Sequence, residues 1–173
     1  MACKHLRRIV RRKRVSHVQE WGTSEYERRP RKEVYRIKEK RMTWQELESE
    51  VRSLAAKINT TPDLLVGVAR GGVIPAVLLS NVLKVKDLYV LKVRKEGERR
   101  RVVAEIFTDV SGKKVLVVED MLETGQSMVV AKAYLESKGA SVETACLYTM
   151  SITETPPDFF LREVQEVQRF PWE

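Results

Sequence analysis

The chain has 173 residues, 43% of them hydrophobic, which suits one domain with a sizeable core. No run approaches the ~20 apolar residues of a membrane span, and two cysteines, Cys3 and Cys146, are too few for a disulfide framework, so a reducing, cytoplasmic setting is expected. The net charge of +8 is unevenly placed: residues 1–41 hold 15 Lys+Arg against 5 Asp+Glu, whereas residues 42–173 hold 17 against 19.

Residues 1–41 therefore read as a basic N-terminal extension. Arg7, Arg8, Arg11, Arg12, Lys13 and Arg14 crowd a stretch with no acid before Glu20, and Leu6, Ile9 and Val10 make a short apolar stripe. Three readings stand: an arm that meets nucleic acid through its phosphates, an Arg-rich organelle-targeting segment, and a solvated extension or one packed on a neighbouring subunit. It carries no hydrophobic region of the secretory type.

The body, residues 42–173, opens with Thr43-Trp44-Gln45-Glu46, a capping box with Thr at the cap and Glu three later. Leu47, Val51, Leu54, Ala55 and Ile58 then share one helical face, and the helix is expected to end near Asn59, before Pro62. Leu64 to Val68 reads as a short apolar strand. Gly67-Val68-Ala69-Arg70-Gly71-Gly72 follows it, and Val73 to Leu83 reads as a helix with Pro75 in its first turn. The loop between them carries a cation and glycines that let backbone approach a ligand closely.

Asp87 to Val93 alternates as a strand does. Residues 94–101 are polar and centred on Gly97, a turn signal, and Val102 to Phe107 resumes as a strand. Ser111-Gly112 turns the chain into Val115-Leu116-Val117-Val118, four apolar residues suited to a strand buried on both faces. Glu119 and Asp120 follow, then Met121-Leu122-Glu123 and the small-residue turn Thr124-Gly125-Gln126-Ser127. Met128, Val129, Ala133 and Tyr134 recur at helical spacing as far as Lys138, and Gly139 stops the helix. Val142 to Leu147 is a further strand, Pro156-Pro157 breaks the chain, and the end reads Phe170-Pro171-Trp172-Glu173.

Strand–loop–helix units of this kind build an α/β fold with a central, mostly parallel sheet flanked by helices, and such sheets bind ligands at the carboxyl ends of their strands. A loop entering a helix offers free N–H groups and a positive dipole end, which suits a phosphate. Two carboxylates beside an anion site make sense where the ligand also carries sugar hydroxyls and a metal ion.

The run from Val115 to Ser127 resembles the phosphoribosyl-pyrophosphate motif of type I phosphoribosyltransferases: four apolar residues, two acids, two apolar residues, an acid, Thr-Gly, any residue, then Thr or Ser. Gly67 to Gly72 is similar to the pyrophosphate loop of that family. The resemblance implies a Rossmann-like fold with a small C-terminal hood at about 150–173. It implies transfer of 5-phosphoribose from phosphoribosyl pyrophosphate to a nucleobase, with magnesium as cofactor and a homo-oligomer, commonly a dimer, as the assembly.

By motif position, Glu119 and Asp120 would hold ribose hydroxyls and Mg2+. Thr124, Gly125, Gln126 and Ser127 would cradle the 5-phosphate. Ala69, Arg70 and Gly71 would grip pyrophosphate, with Ala69–Arg70 the bond often found cis. Glu123 stands where purine-specific members carry an Asp near the base, as proton acceptor. The family also places a mobile lid over the site at residues 94–101.

Pro157-Asp158-Phe159-Phe160 and the Phe170-Pro171-Trp172-Glu173 ending resemble the hood end of xanthine-guanine and other 6-oxopurine phosphoribosyltransferases. Two positions depart from that pattern. Met150 stands where those enzymes read the base oxygen with a Lys, and Val167, followed by Gln168, stands where an aromatic ring stacks on the base. The phosphoribosyl half is thus complete and the base half altered. An alternative function is a phosphoribosyltransferase-fold sensor of nucleotide or phosphoribosyl pyrophosphate, with the basic arm on nucleic acid.

Overall fold

Residues 41–173 are described in the computed structural model, so the basic extension, with its nucleic-acid and targeting readings, lies outside the described residues apart from Arg41. The capping box forms as expected: Glu46 N donates to Thr43 Oγ1 at 3.2 Å, and Thr43 N donates back to the Glu46 carboxylate at 2.8 Å. The helix it starts, α1 (Trp44–Ala55), stops short of Asn59. The chain there tightens into turns in which Lys57 N donates to Leu54 O and Ile58 N to Ala55 O. Ile58 still reaches the core, at 8% exposure, so the apolar spacing overran the helix without misplacing the side chain.

The remaining elements are β1 (Leu64–Ala69), α2 (Val73–Leu83), β2 (Leu88–Glu96), β3 (Arg99–Ala104), β4 (Lys114–Leu122), α3 (Gln126–Ser137), β5 (Ser141–Met150) and β6 (Phe159–Val164). Six strands form one sheet in the order β3-β2-β1-β4-β5-β6. All neighbours run parallel except β2 and β3, which form a hairpin.

β4 lies inside this sheet, and its apolar residues alternate between two cores. Leu116 and Val118 join Leu47, Val51, Leu54 and Leu79 on the face covered by α1 and α2. Val115 and Val117 join Met128, Ala131 and Leu135 of α3 on the other. Burial on both faces explains why the strand reads as an uninterrupted apolar run.

Three further differences from the sequence reading bear on the site. β4 does not end at Val118, because its ladder with β5 continues to Leu122 opposite Thr149, which puts Glu119 and Asp120 on the strand itself. The polar stretch 94–101 is mostly strand: β2 runs to Glu96 and β3 restarts at Arg99, with Gly97 at φ +62° in the tip. A bidentate pair between Glu96 and Arg101, at 2.6 and 2.9 Å, helps polar residues occupy that ladder.

β6 is the third difference. Asp158 accepts from Thr144 N and Oγ1, both at 2.8 Å, and its own N–H returns to Thr144 Oγ1 at 3.0 Å, which starts β6 alongside β5. Lys57 Nζ donates to the carbonyls of Phe160 and Leu161, covering polar backbone of an edge strand. The segment assigned to a hood thus adds a strand to the sheet, and Phe170 enters the α1 core at 2% exposure. Among the described residues no helix is long and apolar enough to cross a membrane.

Candidate active site

The two loops singled out in the sequence meet at the carboxyl ends of β1 and β4, which are neighbours in the sheet. The contact is close enough to require glycine. A Cβ on Gly71 would fall 2.1 Å from Asp120 Oδ2, and one on Gly72 would fall 2.1 Å from Val118 O. The carboxylate of Asp120 therefore lies directly against the β1–α2 loop, with its Oδ1 accepting from Met121 N at 2.7 Å. The Ala69–Arg70 peptide in that loop is cis, as the resemblance implied, and the Arg70 side chain is exposed.

Downstream, Gly125 takes φ +77° and stands at the start of α3, with no side chain capping the first turn. The N–H groups of that turn are thus left facing outward, the arrangement that suits an anion. A Cβ on Gly125 would also press within 3.1 Å of Thr153 Cγ2. Thr153 Oγ1 lies 2.7 Å from Glu123 O and 3.0 Å from Leu122 O, which ties the loop to the segment after β5.

A cavity of about 250 Å3 lies over this turn, lined by Glu119, Met121, Leu122, Glu123, the whole 124–127 turn and Arg100. The structure thus brings Glu119, Glu123 and Thr124 to Ser127 together around one space, and packs Gly71 and Asp120 against each other.

Arg100 also lines this cavity, and the sequence alone does not distinguish it from the cations around it. It comes from β3, and its Nη1 donates to Ser127 Oγ at 3.0 Å. Its Nε is buried with no hydrogen-bond partner, which marks a donor awaiting an acceptor. Lys95 lies directly opposite it in the hairpin, and Arg94 lies opposite Arg101. Like charges directly opposite one another destabilise a strand pair, and Glu96, bonded to Arg101, offsets the second of these pairs. Strand alternation would have put Arg100 on the face of Val102, toward α3, had the extent of β3 been known.

The carboxylates are strained electrostatically as they stand. Burial pushes Glu119 up to about 8, the adjacent Asp120 charge adds to this, and the Arg100 guanidinium pulls it back. Asp120 is also raised, first by burial and further by the charge of Glu173, against backbone N–H donors that lower it. Glu173, whose carboxylate accepts from Phe170 N at 2.9 Å, is therefore a second residue near the site that the motif did not assign. A cation beside these oxygens would relieve their mutual repulsion.

Among the described residues no three His, Cys, Asp or Glu side chains gather as a full ligand set. Two carboxylates with no nitrogen or sulfur donor fit magnesium, which keeps water and shares substrate oxygens. The free Cys146, buried in β5 opposite Glu119, has its thiol pushed up by burial and takes no part.

The base-side residues are more dispersed. Met150 is half-buried at the end of β5, opposite Val164 of β6, and Val167 is 58% exposed. Gln168 lines a separate cavity of about 140 Å3 together with Met42, Glu46, Glu50, Tyr148 and Arg162.

The phosphoribosyl transferase domain family matches residues 42–173. Similar curated proteins include the orotate phosphoribosyltransferase of Listeria monocytogenes, 32% identical over 108 residues covering 60% of this chain and 50% of the relative. That of Methanospirillum hungatei is 38% identical over 95 residues, covering 53% and 54%. The chain spans about half the length of these curated relatives. Among solved structures, the purine phosphoribosyltransferase from Pyrococcus horikoshii has a TM-score of 0.72 and 34% identity, covering 78% of this chain and 93% of that one. The Helicobacter pylori xanthine-guanine-hypoxanthine phosphoribosyltransferase, at TM-score 0.67 and 21% identity, covers 77% and 92% and shares the fold.

Proposed function

We infer that this chain, which belongs to the phosphoribosyl transferase domain family, transfers 5-phosphoribose from phosphoribosyl pyrophosphate to a ring nitrogen of a nucleobase. Its sheet and flanking helices form the Rossmann-like type I phosphoribosyltransferase fold. The observation that carries the reading is the junction of the two loops, with Asp120 against Gly71 and the Arg100–Ser127 pair beside the α3 turn.

In this reading Thr124, Gly125, Gln126 and Ser127 take the 5-phosphate through N–H and hydroxyl donors, and Arg100 adds a charged donor from β3. Glu119 and Asp120 accept from the ribose hydroxyls and are the residues that would hold magnesium. Magnesium, when bound, offsets the charge of the pyrophosphate. Ala69, Arg70 and Gly71 receive the pyrophosphate next to Asp120.

As the bond from C1 of ribose to the pyrophosphate oxygen breaks, positive charge grows on the sugar and negative charge on the leaving group. The half-buried carboxylates and the Arg70 loop face those two charges. The new bond joins C1 to the base nitrogen, and Glu123, exposed at the cavity rim, takes the proton that the base gives up.

A purine acceptor is favoured by the Pyrococcus horikoshii purine enzyme, whose chain is covered over 93% of its length, whereas the orotate enzymes are covered over about half. Incubation with magnesium, phosphoribosyl pyrophosphate and, in turn, hypoxanthine, guanine, xanthine, adenine, uracil or orotate tests both levels. A nucleotide product with any base supports the transferase. Silence with all six, alongside tight binding of phosphoribosyl pyrophosphate, supports a sensor.

A further inference from the structure

We propose that the cavity lined by Tyr148, Arg162 and Gln168 is the acceptor subsite, and that Arg162 and Glu50 are the specificity-determining residues that read an N–H beside a C=O on the incoming base. The inference rests on the phosphoribosyl-transfer reading and concerns the half of the site in which neither Met150 nor Val167 supplies a polar group.

Position comes first. Met121 lines the phosphoribosyl cavity, and its register partner on β5 is Tyr148, which lines the second cavity. Neighbouring strands lie ~4.8 Å apart, so the two spaces flank a single pair of residues. The chain that brings Gln168 to the second cavity continues through Phe170, stacked on Tyr148 at 5.9 Å, to Glu173, whose charge acts on Asp120. A base placed here would approach the ribose carboxylates of β4 from the β5 side.

Chemistry comes second. Glu50, from α1, accepts from the Tyr148 hydroxyl and from Arg162 Nη2, and its side chain is 18% exposed. Arg162, from β6, also donates Nη2 to the Tyr148 hydroxyl at 3.2 Å and lies over that ring at 5.1 Å. Both of its bonds leave through Nη2, so Nε and Nη1 keep their donors, and each Glu50 oxygen keeps a lone pair. A guanidinium and a carboxylate held side by side match a lactam edge: Arg162 donates to the carbonyl oxygen, and Glu50 accepts from the adjacent N–H. Adenine and cytosine present a ring nitrogen acceptor where a lactam presents N–H, so they leave Glu50 unmatched.

The alternative is a clasp that only joins α1, β5 and β6. Titration calorimetry with the full chain and magnesium separates the two. Ribose 5-phosphate probes the phosphoribosyl half alone. The 5′-monophosphates of inosine, guanosine, xanthosine, uridine and orotidine add a lactam; those of adenosine and cytidine do not.

At least one lactam nucleotide is expected to bind tenfold or more tighter than ribose 5-phosphate, with the adenosine and cytidine nucleotides gaining nothing. Arg162→Met should erase that gain and leave ribose 5-phosphate affinity within twofold. If Arg162→Met loses ribose 5-phosphate as well, Glu50→Gln, which keeps the shape, is expected to erase the gain and decides the matter. A gain that survives either variant with ribose 5-phosphate binding intact, or no gain in the wild type, overturns the proposal. Wild-type protein that ignores ribose 5-phosphate overturns the phosphoribosyl reading and this inference with it.

Discussion

Glu119→Gln is expected to make the ligand-free protein more stable, by an amount that grows with pH. The Glu119 carboxyl is pushed up to about 8 in the fold from an ordinary 4.5, chiefly by burial. A group raised on folding contributes its full stability below the unfolded value and loses it as pH rises through the folded value. The wild type therefore weakens between about pH 4.5 and pH 8, and the glutamine variant, which has nothing to ionise, does not. One pH unit inside that window is worth ~1.4 kcal/mol, so pH 5.5 to 7.5 corresponds to ~2.7 kcal/mol. For a domain of this size 1 kcal/mol moves Tm by ~3 °C, so the difference in Tm between variant and wild type should widen by ~8 °C. Scanning calorimetry of both proteins without ligand, at pH 5.5, 6.5 and 7.5, reads this directly, because titrating groups that do not interact with Glu119 cancel in the difference. A difference constant to within ~2 °C would refute the reasoning that the fold disfavours the Glu119 anion and keeps its carboxyl protonated.

Three further outcomes follow from the same geometry. Arg100→Gln removes the charged donor beside Ser127 and should raise the Kd for ribose 5-phosphate ~10- to 100-fold, measured by calorimetry, since a charge-assisted hydrogen bond contributes about 1.5–3 kcal/mol. Gly71→Ala places a methyl group 2.1 Å from Asp120 Oδ2, so it should abolish phosphoribosyl transfer while circular dichroism stays native, because the carboxylate must leave its position. Phe170→Ala empties a core site that is 2% exposed and should cost about 3–5 kcal/mol in urea unfolding, with Tyr148 and Trp172 losing their stacking partner.

Much of this site could be read from the residues alone where the signal is local. The run from Val115 to Ser127 declares a buried strand, two acids and an uncapped helix start within thirteen positions, and the fold keeps that order. The Gly71-Gly72 pair is equally legible, although only the structure shows that Asp120 and Val118 are what it makes room for. What escaped depends on pairing between distant segments. The extension of β4 past Val118 is set by β5, and β6 exists because Asp158 and Thr144 bind each other across the sheet. Arg100 stood among Arg94, Lys95, Arg99 and Arg101, and nothing local distinguishes the one whose strand position faces the cavity. The Glu50–Tyr148–Arg162 cluster joins three elements by one glutamate, with no spacing in the sequence to announce it.

The central claim is that the ends of β1 and β4 hold a phosphoribosyl diphosphate. Its most direct test is titration of phosphoribosyl pyrophosphate into the full chain with magnesium at pH 7, in two buffers of different ionisation enthalpy. Saturable binding at one site per chain is predicted, with release of about one proton as Glu119 ionises, and at least a hundredfold weakening in Asp120→Asn. No binding, or binding that Asp120→Asn leaves unchanged, would contradict the account.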